Sequence, residues 1–199
     1  MVQKHMTTAV RRKQIVDAAR RLIIRRGAEH VTVRGIAEDV GISEAAIYRH
    51  FKSKKDVLCL LLDDIEQDLI DDVNTQRNNG PTSLDMLDSV LKNHLSSIEK
   101  RRGIRFQVIA EIISLGDRSL NRRASETIDK YIVCIEQLLS DCLLSGTLRK
   151  DVDLKGTATL LFCIVQGVVN IWALSNYDFD PLTRYEPMWR ILRRAVEAG

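Results

Sequence analysis

The sequence predicts an all-α chain. Apolar residues recur at helical spacing through most of its 199 residues. Only three prolines and ten glycines interrupt it, several of them where that spacing stops. With 45% hydrophobic and 29% charged residues, the composition is that of a folded chain with enough apolar surface for a buried core.

The elements follow in order. Between Lys13 and Ile24 the positions Ile15, Ala18, Ala19, Leu22 and Ile23 lie on one helical face, and Gly27 supplies a C-terminal stop. Thr32 precedes VRGIAEDV and is placed to cap a second helix through its hydroxyl. Gly41 breaks the chain, and Ser43 caps a short third helix over residues 44–50, with Glu44 suited to its positive end. Ser53 opens a fourth helix whose buried face is Val57, Leu58, Leu61, Leu62, Ile65 and Leu69. Breaks at TQRNNGP, LGDRS, SGTLRKDVD and SNYDFDP then divide the rest into helices near 82–102, 104–115, 119–145, 154–175 and 182–197. This gives a domain of residues 1–58, with a basic arm at 1–10, and a second helical domain of residues 59–199.

Charge separates the two. Residues 1–58 hold 13 Lys and Arg against 6 Asp and Glu, a balance of +7; residues 59–199 hold 17 against 21, a balance of −4. The amino-terminal part is therefore built to meet a polyanion. The cysteines at 59, 134, 142 and 163 show neither CxxC nor Cys/His ligand spacing, so the sequence predicts no metal site, no disulfide framework and a reducing cytoplasmic setting. The basic start lacks the apolar run of a secretory signal. No nucleophile, base and oxyanion set is assembled, which argues against an enzyme, and no cofactor is expected.

The stretch SEAAIYRHFKSK, residues 43–54, carries the chemistry. A helix that enters the major groove of double-stranded DNA needs small side chains where its first turn nears the base edges, and Ala45 and Ala46 leave that room. Ile47 and Phe51, four residues apart, face inward. Tyr48, Arg49 and His50 are left for the outer surface, within reach of phosphates or, for Arg49, a guanine edge. The candidate DNA-contacting set is Thr32, Arg34, Ser43, Glu44, Ala45, Ala46, Tyr48, Arg49, His50, Lys52 and Lys54.

Residues 11–62 resemble the DNA-binding domain of the TetR family of one-component bacterial repressors. The resemblance rests on Thr32, the IAEDVGIS turn, the AAIYRHF helix and SKKDVL. It implies a three-helix helix-turn-helix domain followed by a helical ligand-binding and dimerisation domain. By that analogy Tyr48, His50 and Lys54 contact phosphate, and Thr32 and Arg34 approach the duplex from the second helix. Glu44 and Ala46 depart from the residues common in the family, so its base preference does not carry over. The analogy also implies a homodimer on a palindromic operator, since one recognition helix reads only a few base pairs.

In the second domain, residues 156–177 run for 22 positions without a charge. Their Thr157, Thr159, Gln166 and Asn170 favour a buried helix over a membrane span. Expected dimer contacts are Val165, Val169, Met188, Trp189, Leu192 and Val196. Expected pocket residues for a small apolar or amphipathic effector are Phe106, Ile109, Tyr131, Cys134, Phe162, Gln166, Asn170 and Trp172, mostly apolar with a few hydrogen-bonding groups. The favoured reading is an effector-released repressor. The alternative is a DNA-bound adaptor acting on a protein partner, as the resemblance to cell-division members of the family implies.

Overall fold

The structure, a computed structural model, describes residues 8–27, 30–77, 83–101 and 103–198. Most of the basic arm at 1–10 and the NNGP end of the TQRNNGP break lie outside the described residues. Among the described residues the chain forms α1 (Thr8–Arg26), α2 (Val33–Val40), α3 (Glu44–Tyr48), α4 (Lys54–Arg77), α5 (Leu84–Lys100), α6 (Ile104–Leu115), α7 (Arg118–Leu144), α8 (Leu154–Leu174) and α9 (Pro181–Val196). An isolated antiparallel bridge joins Leu148 to Glu197.

Side-chain caps set where several of these helices begin. The Thr32 hydroxyl accepts from the Gly35 N–H at 3.0 Å, and the Ser43 hydroxyl accepts from the Ala46 N–H at 3.2 Å. Ser83, Asp153 and Asp180 play the same part for α5, α8 and α9, satisfying backbone donors that have no intrahelical acceptor. At the start of α4 the structure records a different contact, with the Asp56 carboxylate accepting from the Lys52 N–H at 2.6 Å. Gly41 ends α2 with φ of 74°, and its N–H donates to the Ala37 carbonyl, a left-handed cap that a side chain would strain.

One expected boundary moves. The third helix stops at Tyr48 instead of residue 50, because the chain turns there to deliver Phe51 to the core: the His50 N–H donates to Ile47 O at 2.8 Å and Phe51 is 1% exposed.

The chain forms two compact units: residues 1–65 with 104–124, and residues 66–103 with 125–199. This grouping differs from a division at 58/59. The reason is α6, which follows 38 residues of the second unit in sequence yet packs on α1. In the first unit α1 packs on α2 and α2 on α3, around Ile15, Leu22, Ile23, Ile36, Ile47, Phe51 and Leu58. Burying each of these large side chains stabilises the unit by about 1.5–3 kcal/mol.

In the second unit α5, α8 and α9 pack on one another around Leu87, Leu91, Leu95, Tyr131, Ile135, Leu161, Val165, Val169, Trp172 and Tyr185. Two polar contacts lie in its interior: His94 Nδ1 meets the Tyr131 hydroxyl, and the Tyr185 hydroxyl donates to Asp88 at 3.0 Å. Burial, reinforced by the Asp88 charge, pushes the Tyr185 phenol well above its ordinary pKa. Helix α8 is long and apolar enough to cross a membrane by length and composition, with 39% of its most apolar window buried. It is not covered all round as the sequence suggests. Leu160, Cys163, Asn170, Ile171 and Leu174 form an exposed side.

Candidate nucleic-acid interface

The outer surface of the α2–turn–α3 segment is built by what its inner surface buries. Ile36 and Ala37 of α2 and Ile47 of α3 are enclosed, and with Phe51 they fix the rotation of α3 about its axis. At that rotation Glu44, Ala45, Tyr48 and Arg49 are exposed, while Ala46 and His50 are half-buried. Tyr48 is 51% exposed, unusually open for a large aromatic. Ser43, at the start of α3, and Thr32, at the start of α2, are exposed and spend their hydroxyls on caps.

Charged neighbours hold this surface in several ways. Arg34 is exposed on α2 and pairs with Glu38 at 3.0 Å, which raises its pKa. Arg21 and Arg25 of α1 both reach the Asp39 carboxylate, tying α1 to α2. The Arg12 guanidinium lies 5.7 Å over the Phe51 ring, so a basic side chain of α1 covers the aromatic anchor. An open cleft of about 390 Å³ is lined by Arg12, His50, Phe51, Lys52, Asp56, Cys59, Leu60 and Asp63. Burial, with help from Asp63 and Asp56, pushes the Cys59 thiol up, which disfavours a reactive thiolate there.

The basic residues at the start of α4 are engaged within the protein. Lys54 Nζ donates to Glu111 Oε1 of α6 at 2.6 Å, and Lys55 Nζ donates to both oxygens of Asp117 at 2.8 and 3.0 Å. Lys52 remains exposed. Lys55, together with Ser119 and the Leu120 N–H, holds the Asp117 carboxyl well below the usual carboxylate range. Sequence reasoning missed both acids. Glu111 had a signal, since it is the sole acid in IRFQVIAEIISL; nothing in the sequence says which lysine it meets.

The expected dimer contacts need correction. Val165, Val169, Trp189, Leu192 and Val196 are buried in the chain's own core, and Met188 is half-buried. A side chain enclosed by its own unit offers no surface to a second copy. On α8 and α9 the large apolar groups left outside, among the described residues, are Leu160, Ile171 and Leu174 of α8 and Ile191 of α9. Gly167 shares that side of α8, and a Cβ built on it would meet nothing within 4 Å.

The expected pocket residues divide as well. Phe106 and Ile109 belong to α6 in the first unit, and the other six belong to the second. Tyr131 and Phe162 come together, their rings edge to face at 6.4 Å, with Cys134 and Gln166 half-buried on the same helices. Asn170 is exposed and so falls outside any enclosed cavity. Trp172 is buried against Tyr177, the ring centroids 4.7 Å apart, and its indole N–H has no acceptor among the described residues. Asn176 and Tyr177, with φ of 55° and 65°, form the left-handed turn that sets Tyr177 there. A second open cleft, of about 280 Å³, is lined by Asp88, Lys92, Glu186, Trp189, Arg190 and Arg193 and by none of the expected pocket residues.

Comparison with known proteins agrees with this architecture. Residues 15–59 match the family described as bacterial regulatory proteins, tetR family, and residues 63–195 match the C-terminal region of YsiA-like proteins. The chain is 27% identical over 188 residues to the nucleoid occlusion factor SlmA of Vibrio vulnificus, covering 94% of this chain and 96% of that protein. Among solved structures it resembles the fatty acid degradation regulator FadR from Bacillus halodurans, with a TM-score of 0.80, 21% identity and coverage of 96% and 97% of the two chains. A FadR from Bacillus subtilis in complex with stearoyl-CoA gives the same TM-score and identity over 90% and 96%. A TetR transcription regulator from Haloarcula marismortui gives a TM-score of 0.82 at 17% identity, over 95% and 99%.

Proposed function

Because this chain belongs to the TetR family of DNA-binding bacterial regulators, we propose that it represses transcription from a palindromic operator as a cytoplasmic homodimer and is released by a small apolar or amphipathic effector. The observation that carries the reading is the exposed edge of α3. Ile47 and Phe51 are sealed inside, while Tyr48 and Arg49 stand in solvent beyond a first turn of alanines. That is the arrangement a groove-reading helix requires: small groups near the bases, hydrogen-bonding and cationic groups beside them.

Pairing of two copies is supported by the exposed side of α8 and α9. Leu160, Ile171, Leu174 and Ile191 are large apolar groups left in water, and Gly167 among them leaves space for a close approach by a partner helix. An effector in the second unit is supported by Trp172, whose buried indole N–H has no acceptor among the described residues. A ligand with an apolar body and one acceptor group fits that chemistry. The solved relative holding stearoyl-CoA shares the fold and points to the same broad class.

Selection of bound fragments from total genomic DNA, followed by footprinting, tests the proposal. A single inverted repeat protected by the wild type, with altered base preference in Arg49→Ala, is expected. Uniform binding to every fragment, unchanged by that substitution, would refute sequence-specific repression. The similarity to nucleoid occlusion factors along nearly the whole chain favours a second reading, a DNA-bound adaptor that governs a protein partner. The two separate on one point: a repressor loses operator affinity when its effector binds, whereas an adaptor holds DNA and captures its partner together.

A further inference from the structure

We infer that Glu111 is a positioning residue for DNA binding, one that withholds Lys54 from the phosphate backbone and so lowers the chain's affinity for DNA of any sequence. The inference rests on the DNA-binding reading above and goes beyond it. The amino end of a long helix favours an anion, because its first N–H groups lack intrahelical partners. α4 begins with two lysines at such an end, and of these Lys54 is the one the sequence offers as a phosphate contact.

The structure gives them protein carboxylates instead. Lys54 Nζ is 2.6 Å from Glu111 Oε1, and the pair is well covered, with the lysine side chain 26% exposed and the glutamate 10%. The Lys55–Asp117 pair is more open, at 43% and 35%, and Asp117 also accepts from the N–H groups of Ser119 and Leu120 at the start of α7. The two acids therefore differ in what they do. Asp117 helps shape its own turn and leaves its lysine reachable by solvent. Glu111 has no such local role in the recorded hydrogen bonds and neutralises a lysine that water screens poorly. A neutral ion pair releases no counterion from DNA, so Lys54 drops out of the electrostatic attraction.

The test measures binding of the full chain to a random-sequence B-form duplex across a salt series, for the wild type, Glu111→Gln, and the double variant Lys54→Gln with Glu111→Gln. Glutamine keeps an acceptor for the Lys54 ammonium and removes the competing charge. Glu111→Gln is expected to bind more tightly and to steepen the plot of log affinity against log salt by about 0.9 per subunit. The double variant replaces one neutral pair by another and is expected to keep the wild-type slope. If Lys54 instead contacts phosphate in the wild type, the double variant flattens by about 0.9 per subunit and the inference is overturned. An unchanged slope in a folded Glu111→Gln overturns it equally. Should Glu111→Gln melt below the assay temperature, the double variant decides alone. A wild type with no salt-dependent affinity for duplex removes the DNA-binding reading itself, and the inference with it.

Discussion

The outer side of α2 and α3 and the outer side of α8 and α9 are both unfinished surfaces, but of opposite kinds. On the first, the residues left in water are Ala45, the capping Thr32 and Ser43, Tyr48, Arg34 and Arg49 and the acids Glu38 and Glu44, all of them comfortable in solvent. On the second they are Leu160, Ile171, Leu174 and Ile191, which lose free energy by staying there. The first surface can therefore wait for a ligand and release it, with affinity set by charge and salt. The second calls for permanent cover. Exposure alone does not mark a binding site; the chemistry of what is exposed says whether the partner comes and goes.

The strongest way to break this contrast is to charge the apolar side. Ile171→Asp combined with Leu174→Asp is expected to convert a dimer into monomers, with operator affinity falling by roughly 100-fold or more because two half-sites are no longer held together. Sedimentation and gel-shift titration check it; a dimer that survives both aspartates would show that this side of α8 is not the seam.

Next comes the anchor beneath the polar surface. Phe51→Ala is expected to cost about 3–5 kcal/mol, since it opens a void below α3 and removes the ring under Arg12. Chemical denaturation measures it. Arg49→Ala, by contrast, should leave the melting curve alone and weaken discrimination at one base pair per half-site by about 1–3 kcal/mol if the guanidinium reads a base.

The smallest effects are local. Ser43→Ala removes the α3 cap at about 1 kcal/mol, and Gly41→Ala, at φ of 74° with no neighbour within 4 Å, should cost a similar amount, about 1 kcal/mol, from backbone strain alone. Asp117 gives a pH signature. Its pKa is depressed in the folded chain, so its contribution is present above the ordinary carboxylate range and is lost as pH falls through the lower folded value. Asp117→Asn should flatten that acid limb in a pH series of melts.

Much of the molecule was legible from residue order. The second helix with its Thr32 cap, the Gly41 stop, the Ser43 cap and the inward pair Ile47 and Phe51 all stand where short-range chemistry put them. These features depend on residues three or four apart, which the sequence displays directly. The helices from α5 to α9 were legible for the same reason, because glycine, proline and polar clusters separate them.

The features that residue order left open share a cause. Helix α8 is apolar on more than one side, so periodicity could not say which side its own unit covers; Val165 and Val169 went inward, and Ile171 and Leu174 stayed out. Lys54 carries the pattern of a phosphate contact, and its partner Glu111 lies 57 residues away.

The sequence by itself determined the helices, their ends and the polar character of α3, because capping, turn chemistry and helical spacing act over a few residues. Only the tertiary structure decided which apolar side of α8 remains open, that α6 packs with α1, and that Lys54 meets Glu111. Those outcomes depend on which helices pack together, and packing pairs side chains that no local pattern connects.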